Sequence, residues 1–560
     1  MAGSSNSPLM TGGRAIVEAL IANGVDTVFG LPGAQLYPLF DALEQKSGQI
    51  RTFSARHEQA CGYMAFGYAR STGRPGVYCV VPGPGVLNTA AGLSTALGCN
   101  APVLCITGQV PSGFLGRGRG HLHELPDQLA SLRLITKWAA RIERAADAPQ
   151  LINEAFRRML SGRPGPVAVE MAWDAMAQSG PVALLPGAAI EQALPPAAEE
   201  IEAAARLLAA AKQPMIMTGS GAQHASRAVR ALAEELDAPV AAFRGGRGVL
   251  AEDHALGVSS FAAYRLWPKT DALVGIGTRL EMPYMRWTGM MSLIDRPQAP
   301  PHLIRIDIDA AEMRRLVPHV GIVADAEAGT RALLDAVRRA RRGKASPKAR
   351  GGPLRATIAA AKAAARKEFG RVQPQMAYLD AIRAVLPRDG FFVGELSQIG
   401  FASYFGFPVY APRTYVSEGY QGTLGFGFPT ALGVKAAHPD RPVLAVTGDG
   451  GFMFAVQELA TAVKENIALV VLVFNNGAYG NVLRDQLTHF GNRVIGALLT
   501  NPDFLQLAEA FAVQGYRVSS PQALKPLLAK ALKSKVPVLI EVEVAQGSEV
   551  SPWEFIHPKR

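Results

Sequence analysis

Short apolar runs alternate with stretches of helical periodicity along most of the chain. Near the N-terminus, "RAIVEALIANGV" places apolar residues at helical spacing and ends on Asn-Gly, a C-cap signal. The runs "TVFGL", "GVYCVV", "PVLCIT" and "PVAVEM" then read as strands with helical segments between them. "SGPVALLPGAAIEQALPPAAEE" (Ser179 to Glu200) is rich in Pro and Ala and reads as a linker. A second unit carries the strand candidates "PMIMTG", "ALVGIG" and "LIRIDID", and a third carries "FFVGE", "PVLAVTGDGG", "ALVVLVFNN" and "PVLIEVE". Strands that alternate with helices predict parallel sheets covered on both faces. The expected fold is α/β, with three consecutive doubly wound domains at residues 1–178, 199–345 and 363–548. The first and third units look alike in size and rhythm, without a clear repeat at the residue level.

Composition narrows the function. A chain of 560 residues is too long for one core, in keeping with three units. The net charge of +11 raises the question of nucleic acid, but "RRARRGKASPKARGGPLR" (Arg338 to Arg355) concentrates eight basic residues and reads as a solvated linker. Nucleic-acid binding is therefore not expected. No apolar run reaches the roughly 18–20 residues needed to cross a bilayer, and "MAGSSNSPLM" lacks a signal-peptide pattern. Cys61, Cys79, Cys99 and Cys105 lack CxxC spacing and lie among apolar or small residues, as reduced core thiols of a cytoplasmic protein would.

The third unit holds the most informative chemistry. "PVLAVTGDGGFMFAVQELATAVKENIALVVLVFNNGAYG" reads strand, glycine turn, helix, strand, and then paired amides. In a parallel βαβ unit both strands end at one sheet edge, so Asp449 and Asn476 should meet although 27 positions separate them. Gly448, Gly450 and Gly451 allow close backbone approach at a helix N-terminus, where N–H groups favour phosphate. A carboxylate, an amide oxygen and a nearby carbonyl form an all-oxygen set suited to magnesium held with a diphosphate. A lone Gly-Asp-Gly is more often a cap with a turn; its coupling to a strand-terminal Asn-Asn after 24 residues favours the metal clamp.

That pairing matches the thiamine diphosphate signature. "RHEQACGYMAFGYARSTGRPGV", "GPGVLN", "TGQVP" and "EGYQGTLGFGFPTALGVK" resemble acetolactate synthase across nearly the whole chain, within a group that includes benzaldehyde lyase and pyruvate oxidase. The resemblance implies a pyrimidine-binding first domain, a middle domain and a diphosphate-binding third domain. It assigns Asp449, Asn476 and the Ala478 carbonyl to Mg2+. It also places Glu395, Leu396, Gly422, Gly448, Gly450, Gly451, Tyr479 and Gly480 around the cofactor. Leu424 corresponds to the apolar prop beneath the bent cofactor, and Glu58 to the catalytic carboxylate that hydrogen-bonds the pyrimidine ring. In the family Glu58 would reach the metal site of another subunit, which implies a homodimer at least and usually a homotetramer.

The implied reaction makes or breaks a C–C bond next to a carbonyl. The leading expectation is acetolactate synthase-like carboligation after decarboxylation of a 2-oxo acid. The alternatives are benzaldehyde lyase-like cleavage of a 2-hydroxy ketone and simple decarboxylation. Departures from acetolactate synthase fall where substrate would lie: Asn481 replaces a Met, and Asp485 falls near a Trp position. Leu122 and His123 stand in a phenylalanine–glutamine–glutamate stretch, and "GLPGA" contributes Leu31, Pro32, Gly33 and Ala34. His123 is a catalytic candidate able to orient a carbonyl or exchange a proton, and the polar substitutions favour a hydroxylated or carboxylated substrate. "GTRLEM" and "RIDIDAAEM" resemble flavin-contacting stretches, but the Gly-Met-His-Gly element is absent, so FAD is disfavoured. The tail "GSEVSPWEFIHPKR" is compatible with folding over the active site or with disorder.

Overall fold

A computed structural model describes residues 7–287, 300–342 and 347–558. It contains three six-stranded parallel sheets and a small antiparallel pair, Leu9–Thr11 with Ser179–Pro181. In the first unit the strand sequence across the sheet is Arg51–Ser54, Thr27–Gly30, Gly76–Val80, Val103–Gln109, Val167–Ala172 and Trp138–Ile142. In the third it is Tyr415–Val416, Phe391–Gly394, Val443–Gly448, Val470–Asn475, Val538–Glu543 and Gln514–Val518. Numbered within each unit, both read 2-1-3-4-6-5, so the likeness seen in the sequence rhythm is one of topology. The middle sheet instead reads 3-2-1-4-5-6, with Pro214–Thr218 and Ala272–Ile276 at its centre.

The apolar runs in the sequence correspond to the central strands. Those expected in the first and third units are the four inner strands of each sheet, buried along almost their whole length. The strands without a clear pattern are the sheet edges Arg51–Ser54, Trp138–Ile142, Tyr415–Val416 and Gln514–Val518. An edge strand covered on one side carries mixed residues or is very short, so its signal fades.

Where Arg338 to Arg355 reads as a linker, the chain is largely helical. Ala326–Ala340 carries Arg338 and Arg339, paired with Glu235 and Glu202, and Pro347–Phe369 is a helix of 23 residues. Residues 343–346 of that run, like residues 1–6, lie outside the described residues. Arg355 pairs with Asp237, and Lys362 Nζ donates to the Glu252 and His254 carbonyls, so this helix is fastened to the middle unit. Tertiary contact thus supplies acidic partners for Arg338, Arg339, Arg341 and Arg355.

The first and third units also meet directly. Helix Glu58–Thr72 lies against Gly427–Ala437 so closely that a Cβ at Gly67 or Gly433 would run into the backbone of Thr430 or Met64. Aromatic packing continues the contact, with Tyr63 and Phe66 edge-on to Phe426. Among the described residues no helix is long and apolar enough to cross a membrane. The four cysteines are free thiols, three buried and one half-buried.

Candidate active site

In an open parallel sheet a ligand sits beyond the C-terminal strand ends where the strand order reverses. In the third unit that point lies between Phe391–Gly394 and Val443–Gly448. Glu395 and Leu396 follow the first of these strands and Asp449 follows the second. The neighbouring strand Val470–Asn475 pairs in register with Gly448 opposite Phe474, which brings Asp449 to the paired amides. Asp449 is buried, and its Oδ2 accepts from Gly477 N at 2.9 Å and from Asn501 Nδ2 at 2.7 Å. Burial raises its pKa against those donors, as for an anion that has lost water without gaining a countercharge.

The two asparagines have different roles. Asn475 is a brace: its Nδ2 donates to Glu541 at 2.7 Å and its Oδ1 accepts from Asn501 at 2.9 Å. Asn476 directs its Oδ1 to Ala478 N at 3.0 Å and its Nδ2 to Glu549 at 2.6 Å. Backbone bonds from Tyr479 N to Ala497 O and from Leu499 N to Gly477 O hold the turn on either side of Ala478. Among the hydrogen bonds of the described residues, none ends on the Ala478 carbonyl.

The glycines beside these groups form a cradle that side chains would fill. A Cβ at Gly450 would meet the Tyr479 ring, one at Gly451 the Glu395 carboxylate, and one at Gly480 the Asn476 amide at 2.9 Å. Gly448 clears Ser397 Cβ by 3.3 Å and Gly422 clears Leu396 by 3.5 Å. Half-buried Leu424 lies on the same loop. A buried carboxylate, an amide oxygen and an unshared carbonyl beside a glycine-lined backbone therefore fit a metal–diphosphate group.

The Glu395 side chain is turned toward the loop that follows Gly422. Its buried carboxyl accepts from Gly425 N at 2.5 Å, Gly427 N at 3.3 Å and Thr447 Oγ1 at 2.6 Å, which fixes the loop that carries Leu424. Burial pushes its pKa up to about 7, against three donors that favour the anion. The neutral carboxyl is thus preferred in the fold. Its stabilising contribution is complete below the ordinary glutamate range and is lost as pH rises through about 7. The whole effect amounts to about 3 kcal/mol. In urea unfolding, wild-type stability should fall between pH 5 and pH 8 relative to Glu395→Gln, which cannot ionise. A pH-independent gap would contradict this reading.

A second group lies in the first unit. Glu58 opens helix Glu58–Thr72, whose N-cap His57 accepts from Gln59 N at 3.1 Å. Asn88 Nδ2 donates to Glu58 Oε2 at 3.0 Å, and a Cβ on Gly85 would stand 3.6 Å from the same side chain. His123 binds Gln35 through Nδ1 and Oε1 at 2.6 Å, and Gln35 Nε2 donates to the Leu122 carbonyl at 2.8 Å. Gln35 and His123 both have positive φ, 69° and 68°, a cost that packed surroundings must offset. Gly83, at φ 61°, makes room: a Cβ there would lie 2.5 Å from the His123 carbonyl. Burial lowers the His123 pKa while the nearby Glu58 charge opposes that shift, so the ring is held toward its neutral form.

The other expected pocket residues are distributed unevenly. Leu31, Gly33 and Ala34 are half-buried and Pro32 is exposed. The Leu122 side chain is also exposed, and only its carbonyl joins the network. Asn481 and Asp485 lie one turn apart on Gly480–His489, 3.4 Å from each other. Sequence reasoning missed Gln35, Asn88, Gln398, Arg484, Asn501 and Glu549. Gln35 directly follows "GLPGA" and could have been found there; Asn501 and Glu549 stand in segments without a pattern. The tail folds over the clamp: Trp553 Nε1 donates to Asn481 at 2.6 Å, and the Phe555 ring packs against Phe261, Phe369 and Phe405.

The middle sheet reverses between Pro214–Thr218 and Ala272–Ile276, and beyond those ends lies a cavity of about 400 Å3. Gly219, Gly277, Arg244, Arg279 and Asp307 line it. Buried Nε and Nη1 of Arg244 lack a hydrogen-bond partner among the described residues, and Glu281 stands 3.7 Å away.

Three family models match the chain in order. The N-terminal TPP binding domain of thiamine pyrophosphate enzymes matches residues 10–131, the central domain 201–333, and the C-terminal TPP binding domain 396–542. A probable 2-ketoarginine decarboxylase of Pseudomonas aeruginosa is 37% identical over 92% of this chain and 90% of its own. A probable acetolactate synthase large subunit of Methanocaldococcus jannaschii is 33% identical over 96% of this chain and 92% of its own. The acetolactate synthase isozyme 1 large subunit of Escherichia coli is 30% identical over 98% and 96%. Sheet topology, glycine cradle and full-length similarity lead to one conclusion: the chain belongs to the thiamine diphosphate-dependent enzymes and is acetolactate synthase-like.

Proposed function

We propose that this enzyme removes CO2 from a 2-oxo acid and joins the remaining acyl unit to a second carbonyl compound. The observation that carries the reading is the oxygen set of Asp449, Asn476 and Ala478 beside the Gly448–Gly451 cradle. Asp449, the Asn476 amide oxygen and the Ala478 carbonyl would hold Mg2+, while Gly450, Gly451 and Gly480 would admit the diphosphate. When bound, thiamine diphosphate supplies the nucleophilic carbon and the electron sink that such chemistry requires.

The protein supplies position and protons. Glu58 would hold a hydrogen bond to the pyrimidine ring, and Leu424 would keep the cofactor bent, so that proton removal becomes a local step. His123, oriented through Nδ1 by Gln35, would turn its other ring nitrogen toward a substrate carbonyl. Following the resemblance, in which this carboxylate reaches the metal site of another subunit, we assign the pairing of Glu58 with the Asp449 clamp to two copies of the chain in a cytoplasmic dimer or tetramer. Exposed Phe454, Phe490, Ile495 and Leu498 in the clamp unit support such a face.

Simple decarboxylation is the second reading, favoured by the 37% identity to a relative named for that reaction. Product analysis separates the two. Pyruvate, 2-ketobutyrate and a guanidino 2-oxo acid are supplied with Mg2+ and thiamine diphosphate, each with and without an aldehyde acceptor. A new C–C bond in the product supports carboligation, whereas CO2 and aldehyde alone support decarboxylation. Exclusive use of pyruvate would count against a polar substrate, which Asn481 and Asp485 favour.

A further inference from the structure

The C-terminal strap brings a carboxylate to the clamp from 73 positions away, and the family resemblance gave it no role. Glu549 Oε2 accepts from Asn476 Nδ2 at 2.6 Å, and Glu549 is half-buried. Its backbone is pinned on both sides. Arg484 Nη2 donates to the Glu549 carbonyl at 3.2 Å and to Gln398 at 2.7 Å. Val550 N donates to Gln373 O at 3.0 Å, and Gln375 Nε2 donates to Val550 O at 2.7 Å. Trp553 Nε1 then fastens the strap to Asn481 at 2.6 Å. Residue 549 is thereby delivered to one place rather than left to sample the surface.

An asparagine amide can present either end to a neighbour, and only the oxygen can ligate Mg2+. A carboxylate accepts but does not donate, so it selects the NH2 end of Asn476 and leaves Oδ1 on the side of Ala478. We infer that Glu549 is a positioning residue for the metal site: through its hydrogen bond to Asn476 Nδ2 it fixes the amide so that Oδ1 faces the cation. The inference rests on the clamp assignment above. It explains why the tail is tied to Asn481 and Arg484, one helical turn beyond the clamp. Glu549 acts through Asn476 and not on substrate.

The test is calorimetric titration of Mg2+ into metal-free protein with thiamine diphosphate at saturation, using wild type, Glu549→Ala, Glu549→Gln and Asp449→Ala. Loss of a partner that orients a metal ligand weakens affinity about 10–100-fold, and that is the expected result for Glu549→Ala. Glu549→Gln, whose amide oxygen still accepts from Asn476, should recover most of that loss. Thermal unfolding of the metal-free Glu549→Ala protein should stay cooperative and fall by no more than the loss of one half-buried hydrogen bond, since the other strap bonds remain. Wild-type Mg2+ affinity in Glu549→Ala would overturn the inference, as would a Glu549→Gln as weak as Glu549→Ala, which would assign the effect to charge. Unchanged Mg2+ binding in Asp449→Ala would instead remove the clamp itself.

Discussion

Glu58→Gln should fold normally and bind the cofactor, yet turn over at least about 100-fold more slowly, the loss expected when a proton-transfer group is removed. The substitution keeps volume and still accepts from Asn88, and the N-cap bond from His57 to Gln59 N does not involve the carboxylate. A stability change should therefore stay within about 0.5 kcal/mol, whereas the rate loss corresponds to about 2.7 kcal/mol of barrier. An amide cannot supply the charged acceptor that a ring nitrogen needs in order to become a base. Steady-state rates at saturating Mg2+ and thiamine diphosphate, with cofactor affinity measured alongside, separate the two effects. Near-normal turnover would remove Glu58 from its role, while weak cofactor binding at normal turnover would make it a binding residue.

Asp449→Ala should abolish saturable Mg2+-dependent cofactor binding, a loss beyond the about 10–100-fold expected for an outer partner. Asp449 is the charged member of the oxygen set; the other two are a neutral amide and a carbonyl. Its removal also takes one acceptor from Gly477 N and one from Asn501 Nδ2, which both donate to Oδ2 and keep Asn475 Oδ1 as their remaining acceptor. Each lost hydrogen bond costs about 0.5–1.5 kcal/mol, and metal-free stability should fall by a comparable amount. Asp449→Asn keeps an acceptor and should retain stability while still losing Mg2+. Equal Mg2+ affinity in wild type and both variants would exclude Asp449 as the ligand.

The clamp was legible because its logic is local. Two strands of one βαβ unit end at one edge, so an aspartate after the first and amides after the second must meet. Glu58 and the Gly83 run stood out only through the family resemblance of the short motifs that contain them. Glu395 was legible as a neighbour of the cradle but not in its action: burial and three donors, not sequence position, turn its side chain inward and shift its pKa to about 7.

The apolar rhythm alone established three α/β units and the inner strands, and the Gly-Asp-Gly and Asn-Asn spacing together with the family resemblance pointed to the cofactor, since these depend on periodicity and on motifs within one unit. The edge strands, the fastened basic helix, and the Gln35–His123 and Glu549–Asn476 bonds depend on which surfaces the packed units bring together. Gln35 and His123 are 88 positions apart, and Glu549 and Asn476 are 73. No pattern along the chain encodes such pairs, because a hydrogen bond between distant segments exists only once both are buried in register.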